Sequence, residues 1–487
     1  MKPGSMFWRG LRGYLPANIV QGLVGLGSIT VFTRLMGQRE YGLYALGYAA
    51  MTLAHTVAFT WLEAAMARFL AAQPTPESRA HHLATLYRTF LALAAIVTPL
   101  AVAALWLWPA PRDVKVIVTA ALAAALLRAL AKLGQERRRA AGEVAGAACV
   151  DIALSAGGFA VGVGFALAGF GGAAPLLGAA LAAALCLPFV LPGDLRLGRG
   201  GRFEAKRLAA YAAYGLPLSL SLILTLVLGS ADRFLIAGYL DARSVGAYHA
   251  AATLANRTLD VMFVWLGAAG VPALITALER GGRPALTATA RQQASTMLLL
   301  TAPAAAGLAM VSKPLATLLV GGGLNEAAAQ VTPLVALGAW LAGITGYYFN
   351  QAFVLARRSD LLVAAMAAPA VANIGLNLLL IPQFGLIGAA WAMAGGYAAG
   401  LVASLTLSPR AGPMPVPLAE AARVGAATLL MIAALALLPS AGGLAELLLK
   451  TGIGAVVFAI AALALDAGGA RSHCARVILD LQARRAT

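Results

Sequence analysis

Charged residues are scarce in this sequence. They make up 11% of the 487 residues, whereas soluble domains contain about 25%. Hydrophobic residues account for 61%, and the mean hydropathy is +0.82. A soluble chain of this length could not bury so much apolar surface, because soluble domains are about 45–50% apolar. The composition therefore excludes a soluble globular protein and indicates a polytopic membrane protein.

Cysteine is also rare, and long polar loops are missing. The three cysteines, Cys149, Cys186 and Cys474, have neither the spacing of a disulfide framework nor that of a metal site. The gaps between apolar segments are too short for a soluble domain. Membrane glycosyltransferases, polymerases and ligases commonly carry a large outer loop with catalytic residues. We therefore expect no cofactor, no metal and no enzymatic activity.

Long apolar segments dominate the sequence instead. A helix needs about 20 apolar residues to cross the hydrocarbon core, and this length predicts an all-α chain with about 14 transmembrane helices. The predicted spans are approximately 13–33, 43–66, 85–108, 114–134, 144–168, 173–192, 209–230, 246–275, 292–311, 330–355, 361–381, 386–407, 419–439 and 447–466.

Basic residues alternate between the connections of these spans. The net charge is +17, which in a soluble protein would first indicate nucleic acid. Here 26 of the 36 Lys and Arg fall on one side, 8 on the other and 2 within spans. Since basic loops stay in the cytoplasm, both termini are predicted to be cytoplasmic. We expect no nucleic-acid partner.

A charged turn occurs twice. Residues 34–45 read RLMGQREYGLYA, and residues 239–250 read YLDARSVGAYHA. A shift of 204 residues aligns Arg39 with Arg243, Gly42 with Gly246 and Tyr44 with Tyr248. Each turn is the first connection of six helices, which indicates a parallel repeat of the kind found in transporters. Convergent turn chemistry is the alternative.

Three stretches resemble a known superfamily. The segments FTRLMGQREYGLYALGYA with WLEAAMARFLA, ADRFLIAGYLDARSVGAYHAAATLANR and NIGLNLLLIPQFGLIGAAWA are similar to helices 1–2, 7–8 and 11–12 of polysaccharide-type flippases. These flippases belong to the multidrug/oligosaccharidyl-lipid/polysaccharide exporter superfamily. The resemblance implies two six-helix bundles in a V around a central cavity. It places the bundles at 1–208 and 209–408, with helices 13–14 and a cytoplasmic tail at 409–487.

The resemblance also implies a cargo and a location. The expected function is to move polyprenyl-diphosphate-linked oligosaccharide across the bacterial inner membrane by alternating access, for O-antigen, capsule or exopolysaccharide synthesis. The expected partners are this lipid-linked glycan, the phospholipid membrane and other polysaccharide-assembly proteins such as a polymerase. A multidrug exporter and a peptidoglycan-precursor flippase of the same superfamily are the alternatives.

Basic residues within or beside spans are candidates to bind the diphosphate. Charged residues in spans are costly and usually face a cavity. Arg257 lies mid-span beside Asn256, and Arg68 closes the second span. Arg128 begins a basic stripe on the fourth span. The competing interpretations are a neutralised pair with Asp260 for Arg257, interfacial snorkelling for Arg68 and ordinary anchoring for Arg128.

Acidic residues in the same segments are candidates to bind a coupling ion. They are Asp260, Asp232, Asp151 and Glu63. Asp260 follows Arg257 at i+3, so the two share a helix face. Asn373 and Asn377 share a face at i and i+4, and we interpret them, with the glycines of the twelfth span, as helix-packing residues.

The charge bias predicts a testable topology. In a variant whose three native cysteines are replaced, a cysteine at residue 202 should resist an impermeant thiol reagent in intact cells. A cysteine at residue 39 or 243 should react, because these turns are predicted to lie outside. Labelling at residue 202 in intact cells would contradict the orientation.

Overall fold

The structure, a computed structural model, describes residues 3–412, 414–440, 442–469 and 471, with side chains from Ile19 onward except those of residues 221 and 225. These ranges are helical and contain no strand, which confirms the all-α prediction. Ten helices in them are long and apolar enough to cross a membrane. The count of about 14 crossings stays a prediction.

The chain forms two compact units, Met1–His249 and Ala250–Thr487. The predicted division at 208/209 and 408/409 remains a prediction. The helices of the first unit are α1 (Pro3–Leu35), α2 (Gln38–Ala58), α3 (Thr60–Phe69), α4 (Pro76–Leu107), α5 (Arg112–Ala140), α6 (Val144–Ile152), α7 (Gly158–Leu167), α8 (Ala174–Leu197) and α9 (Ala205–Tyr239).

Small residues let the helices of the first unit pack closely. Helix α8 packs against α5 and α7, and α9 packs against α2 and α3. The α5–α8 interface is rich in buried alanine, including Ala121, Ala124 and Ala180. Close approach of backbones supplies the van der Waals contact that holds helices together in lipid, where the hydrophobic effect between helices is absent.

Two helices of this unit are interrupted. A turn at Phe59 separates α2 from α3, and the Phe59 amide donates to the carbonyl of His55. A π-helical turn at Ala153–Gly157 separates α6 from α7. π-Helical turns are frequent at functional sites, and both interruptions lie beside residues that carry charge.

The repeated turns have the same backbone layout. Helix α1 ends at Leu35 and α2 begins at Gln38, whereas α9 ends at Tyr239 and the next helix, α10 (Ala242–Met310), begins at Ala242. Both boundaries are related by the predicted shift of 204 residues. Charged side chains cap the new helix in each case: the Gly37 amide donates to Glu40, and the Ser244 amide donates to Asp241.

The two turns also touch each other within the first unit. A Cβ atom on Gly42 would lie 1.6 Å from the carbonyl oxygen of Ala242. A Cβ atom on Gly246 would lie 3.2 Å from the amide nitrogen of Gly42. The glycine at this repeated position therefore allows backbone-to-backbone contact between the turns.

In its described residues, the second unit contains the remainder of α10 and six further helices. These are α11 (Ser312–Leu319), α12 (Asn325–Ile344), α13 (Gln351–Leu355), α14 (Ser359–Leu407), α15 (Leu418–Ala436) and α16 (Gly443–Leu465). A π-helical turn at Thr345–Phe349 joins α12 to α13. Helices α15 and α16 pack on each other, and α16 also packs against α11.

The two longest helices are hairpins. Helix α10 turns at Gly282 (φ 62°) and α14 turns at Gly385 (φ 58°), a region of backbone space that glycine enters without strain. Across the second turn, Gly396 lies against Asn373 and Gly400 lies against Pro369. The glycines of the predicted twelfth span thus pack against the preceding helix, as the sequence predicted.

Substitution at Gly42 tests the contact between the repeated turns. Gly42→Ala should lower the apparent melting temperature of the purified protein, because the new methyl group overlaps the Ala242 carbonyl and must displace one turn. Gly22→Ala is the matched control, since no atom lies within 4 Å of its added Cβ. Equal melting temperatures for the two variants would show that the turns do not meet.

Candidate functional site

Arg257 lies on α10 in the second unit, with Asn256 and Asp260. Arg257 and Asp260 are exposed and Asn256 is half-buried. The charge of Arg257 acts on Asp260, which lies three residues further along the same helix. Nevertheless, among the described residues Arg257 forms neither a hydrogen bond nor an ion pair. Its five N–H donors are therefore available to a ligand.

Tyr347 extends this group and was not predicted from the sequence. Its ring stacks on that of Phe263, with ring centres 5.9 Å apart and an angle of 14° between planes. Asp260 is close enough to act on Tyr347 electrostatically. Tyr347 belongs to the π-helical turn at Thr345–Phe349, so this turn places an aromatic hydroxyl near Asp260.

Glu63 has a histidine partner in the first unit. The imidazole Nε2 of His55 lies 2.8 Å from Glu63 Oε1. The two atoms lie within ion-pair distance but lack the alignment of a hydrogen bond, and the contact is an ion pair only when His55 is protonated. His55 was not predicted, because eight residues separate it from Glu63 and the two meet only across the turn at Phe59.

Glu136 on α5 lies close enough to Glu63 and Asp151 to interact electrostatically with both. Glu136 accepts a hydrogen bond from Arg139 at 2.8 Å, and Arg139 also donates to Asp151 at 2.7 Å. The charge of Glu136 interacts with those of Glu63, Lys132 and Asp151. The structure thus brings together two predicted acidic candidates, Glu63 and Asp151. We call His55, Glu63, Lys132, Glu136, Arg139 and Asp151 the α2–α5 charge cluster.

The other two basic candidates, Arg128 and Arg68, are not members of this cluster. Arg128 is half-buried on α5, one turn before Lys132, and Arg68 is exposed in the last turn of α3. Within the described ranges, neither guanidinium forms a hydrogen bond or an ion pair. Both remain candidates for an anionic ligand, and their assignment stays a prediction.

Asp232 makes a buried contact with a tyrosine. It is buried on α9 and accepts a hydrogen bond from the hydroxyl of Tyr248, which is also buried. This bond joins α9 to the start of α10 across the second repeated turn. The contact favours a structural role for Asp232, while its proposed role as a coupling-ion site stays a prediction.

A second buried network holds α4, α5 and α8 together. Arg137 Nε donates to Asp194 Oδ1 at 2.9 Å, and the Tyr87 hydroxyl donates to Asp194 Oδ2 at 2.5 Å. Arg137 also pairs with Glu143. Asp194 is fully buried and every oxygen of its carboxylate has a partner, so this network is structural. The sequence placed Arg137 only in a basic cytoplasmic connection.

The comparisons with known proteins agree on the fold. The model of a family described as "Polysaccharide biosynthesis protein" matches residues 31–329. No curated protein matches the chain significantly in sequence. The structure of the lipid II flippase MurJ, in an inward closed conformation, is similar with a TM-score of 0.75 at 14% identity, covering 93% of this chain and 98% of MurJ.

Transporters of a second kind are also similar in structure. An inward-facing multidrug resistance MATE family transporter of the MOP superfamily gives a TM-score of 0.64 at 16% identity, over 80% of this chain and 94% of its own. A mutant of the Vibrio cholerae MATE transporter VcmN gives 0.55 at 16% identity, over 84% and 97%. At these identities the similarity establishes the fold of this superfamily.

Removing Asp194 tests the structural network. Asp194→Ala should destabilise the protein by about 3–5 kcal/mol, because it leaves the Arg137 guanidinium buried without its partner. The exposed pair between Arg358 and Asp360 supplies the control, and Asp360→Ala should leave stability unchanged. Denaturation of the two variants in detergent gives the comparison. Equal stability of the Asp194 variant and the unaltered protein would contradict the assigned role.

Proposed function

Because the chain belongs to the polysaccharide biosynthesis protein family, we propose that it is a lipid-linked oligosaccharide flippase. Its cargo would be a polyprenyl-diphosphate-linked oligosaccharide, moved across the bacterial inner membrane for O-antigen, capsule or exopolysaccharide synthesis. The family match over residues 31–329 carries this proposal. The multi-pass membrane character of the chain agrees with it.

The cargo determines what the protein must supply. A diphosphate and a glycan are both expensive to move through hydrocarbon, where polar groups lose their hydration. A flippase therefore needs cationic groups for the phosphates and a polar route for the sugars. Alternating access provides such a route without opening a continuous pore. The protein would act without enzymatic chemistry, as its transporter relatives do.

Arg257 is the residue that we assign to the diphosphate. An arginine in a span costs about 2.5–3.5 kcal/mol on insertion scales, and most such residues are neutralised by a partner. Arg257 is exposed and has no ion pair in the described part of the chain. A planar guanidinium binds phosphate through two parallel hydrogen bonds. Asn256 adds an amide beside it, and Arg68 and Arg128 are further candidate contacts.

The alternative cargoes differ in charge. A multidrug exporter that takes cationic drugs would need a binding site with a net negative charge. In the described part of the chain Arg257, Arg68 and Arg128 form no ion pair, and their positive charge favours an anionic cargo. A peptidoglycan precursor is also an anionic lipid-linked sugar. The positive charge of these arginines suits a peptidoglycan precursor as well as a polyprenyl-diphosphate-linked oligosaccharide. A test must therefore include both cargoes.

Arg257 variants test the assignment in cells. In a strain lacking this protein, Arg257→Ala at matched expression should abolish surface glycan, because the diphosphate loses its cationic contact. Arg257→Lys should retain part of the export if charge alone matters, and lose it if two parallel hydrogen bonds are needed. Surface glycan is measured by gel electrophoresis and antibody binding.

Arg280→Ala is the matched control. Arg280 is an exposed arginine of the same helix near the Gly282 turn, and its removal should leave export unchanged. Full export by Arg257→Ala would contradict the assignment of Arg257. Normal surface glycan in the strain that lacks the protein, with a defect in peptidoglycan instead, would contradict the leading cargo and favour the precursor flippase.

A further inference from the structure

We propose that a polar cavity between α11 and α12 binds an uncharged sugar of the cargo glycan. This inference rests on the proposed flippase function and adds to it a separate site for the sugar part of the cargo. The cavity has a volume of about 450 Å³, within the range of about 300–1,000 Å³ found for small-molecule sites. It lies wholly within the second unit and does not include Arg257.

A tight turn fixes the two walls of the cavity. Helices α11 and α12 are joined by the segment 320–324. Gly322 (φ 65°) and Gly323 (φ 74°) adopt a backbone conformation that glycine enters without strain. Val320 and Leu324 are buried at the two ends of the segment, and α11 packs against both α12 and α16. The walls are therefore positioned before a ligand binds, which lowers the ordering cost of binding.

Helix periodicity places polar side chains along both walls. On α11, Lys313 and Thr317 are four residues apart, and on α12, Glu326 and Gln330 have the same spacing, so each pair shares one helix face. All four residues are exposed. The polar residues that line the cavity are Ser312, Lys313, Thr317, Asn325, Glu326 and Gln330.

Most of these polar groups are available to a ligand. Four of the side chains form neither a hydrogen bond nor an ion pair with other described residues: Lys313, Asn325, Glu326 and Gln330. The charges on the adjacent helix α16 differ, because Lys450 Nζ donates to Glu446 Oε1 at 2.6 Å and the Gly442 amide also donates to Glu446. The charges on α16 are thus bonded to protein groups, whereas those that line the cavity are not.

The charges of the lining favour an uncharged, hydroxyl-rich ligand. Lys313 and Glu326 supply one cation and one carboxylate, so the lining has no net charge. A phosphate would be repelled by the carboxylate and a cationic drug by the ammonium group, and such like-charge contacts select against both. A sugar hydroxyl both donates and accepts hydrogen bonds. It can therefore bind an ammonium group, a carboxylate or an amide.

A phospholipid headgroup is the main competing ligand, because it carries both charges. Its acyl chains would need an apolar surface beside the headgroup. Among the described residues that line the cavity, Ala329 is the only apolar one. The lining therefore favours a sugar over a lipid headgroup.

The predicted topology places the cavity where the glycan would arrive. The connection between α11 and α12 lies between the spans predicted at 292–311 and 330–355, on the side predicted to be outer. The proposed flippase brings the glycan to that side when it moves the lipid carrier. The cavity would bind the sugar there, whereas Arg257 would bind the diphosphate.

Binding of oligosaccharide to the purified full-length protein tests the site. The probe is the water-soluble oligosaccharide repeat released by mild acid from the lipid-linked glycan of the same cells, and NMR titration in detergent should show saturable binding. Glu326→Ala should weaken binding about tenfold or more, because hydrogen bonds to charged groups are the stronger class. Gln330→Ala should weaken it about threefold to tenfold. Glu326→Gln should retain part of the affinity, since an amide also accepts a hydrogen bond from a hydroxyl.

Glu279→Ala is the control, because it removes an exposed carboxylate of α10 outside the cavity, and it should bind the oligosaccharide as the unaltered protein does. Equal affinity of the cavity variants and this control would place the sugar elsewhere and overturn the site. Binding of glycerophosphoethanolamine instead of the oligosaccharide would assign the cavity to a lipid headgroup. No binding by the unaltered protein would also overturn the sugar site alone. Normal surface glycan in the strain that lacks the protein would contradict the flippase function itself.

Discussion

A charge inside hydrocarbon or inside the packed protein must be neutralised by a partner, hydrated or bound by a ligand, and this constraint organises the whole chain. Charged residues make up only 11% of the chain, so each charged residue inside a helix indicates a structural or a binding role. Arg137 and Asp194 meet the constraint by mutual neutralisation in a fully bonded network. Arg257 meets it differently, because its guanidinium remains exposed and without an ion pair in the described residues. That contrast separates groups that hold the fold from groups available to a ligand.

The backbone obeys the same constraint. Unpaired amides and carbonyls are too costly in lipid, so spanning segments are helical. The repeated turns show how the constraint is met where helices end: Glu40 and Asp241 accept hydrogen bonds from the first free amides. The charged turns are therefore helix caps, and the glycine at the shared position lets the two turns touch. A hydrophobic chain retains these charged residues because they accept hydrogen bonds from backbone amides at the ends of its helices.

Much of this architecture could be predicted from the sequence. Apolar length gives the helices, and the shift of 204 residues places the ends of α1 and α9 and the starts of α2 and α10 in register. Glycines opposite Asn373 and Pro369 were recognisable as packing residues. The pairing of His55 with Glu63 could not be predicted, because it depends on a local break at Phe59 that no glycine or proline marks. Likewise, the link from Glu136 to Asp151 joins separate helices, and helix periodicity describes one helix at a time.

The central claim is that this protein transfers a lipid-linked glycan between leaflets. The most direct measurement is the leaflet distribution of the polyprenyl-diphosphate-linked oligosaccharide in spheroplasts, probed with an impermeant glycan-binding reagent before and after depletion of the protein. The account predicts that depletion confines the lipid-linked oligosaccharide to the cytoplasmic leaflet, where the reagent cannot bind it. An undiminished outer-leaflet fraction after depletion would contradict the account.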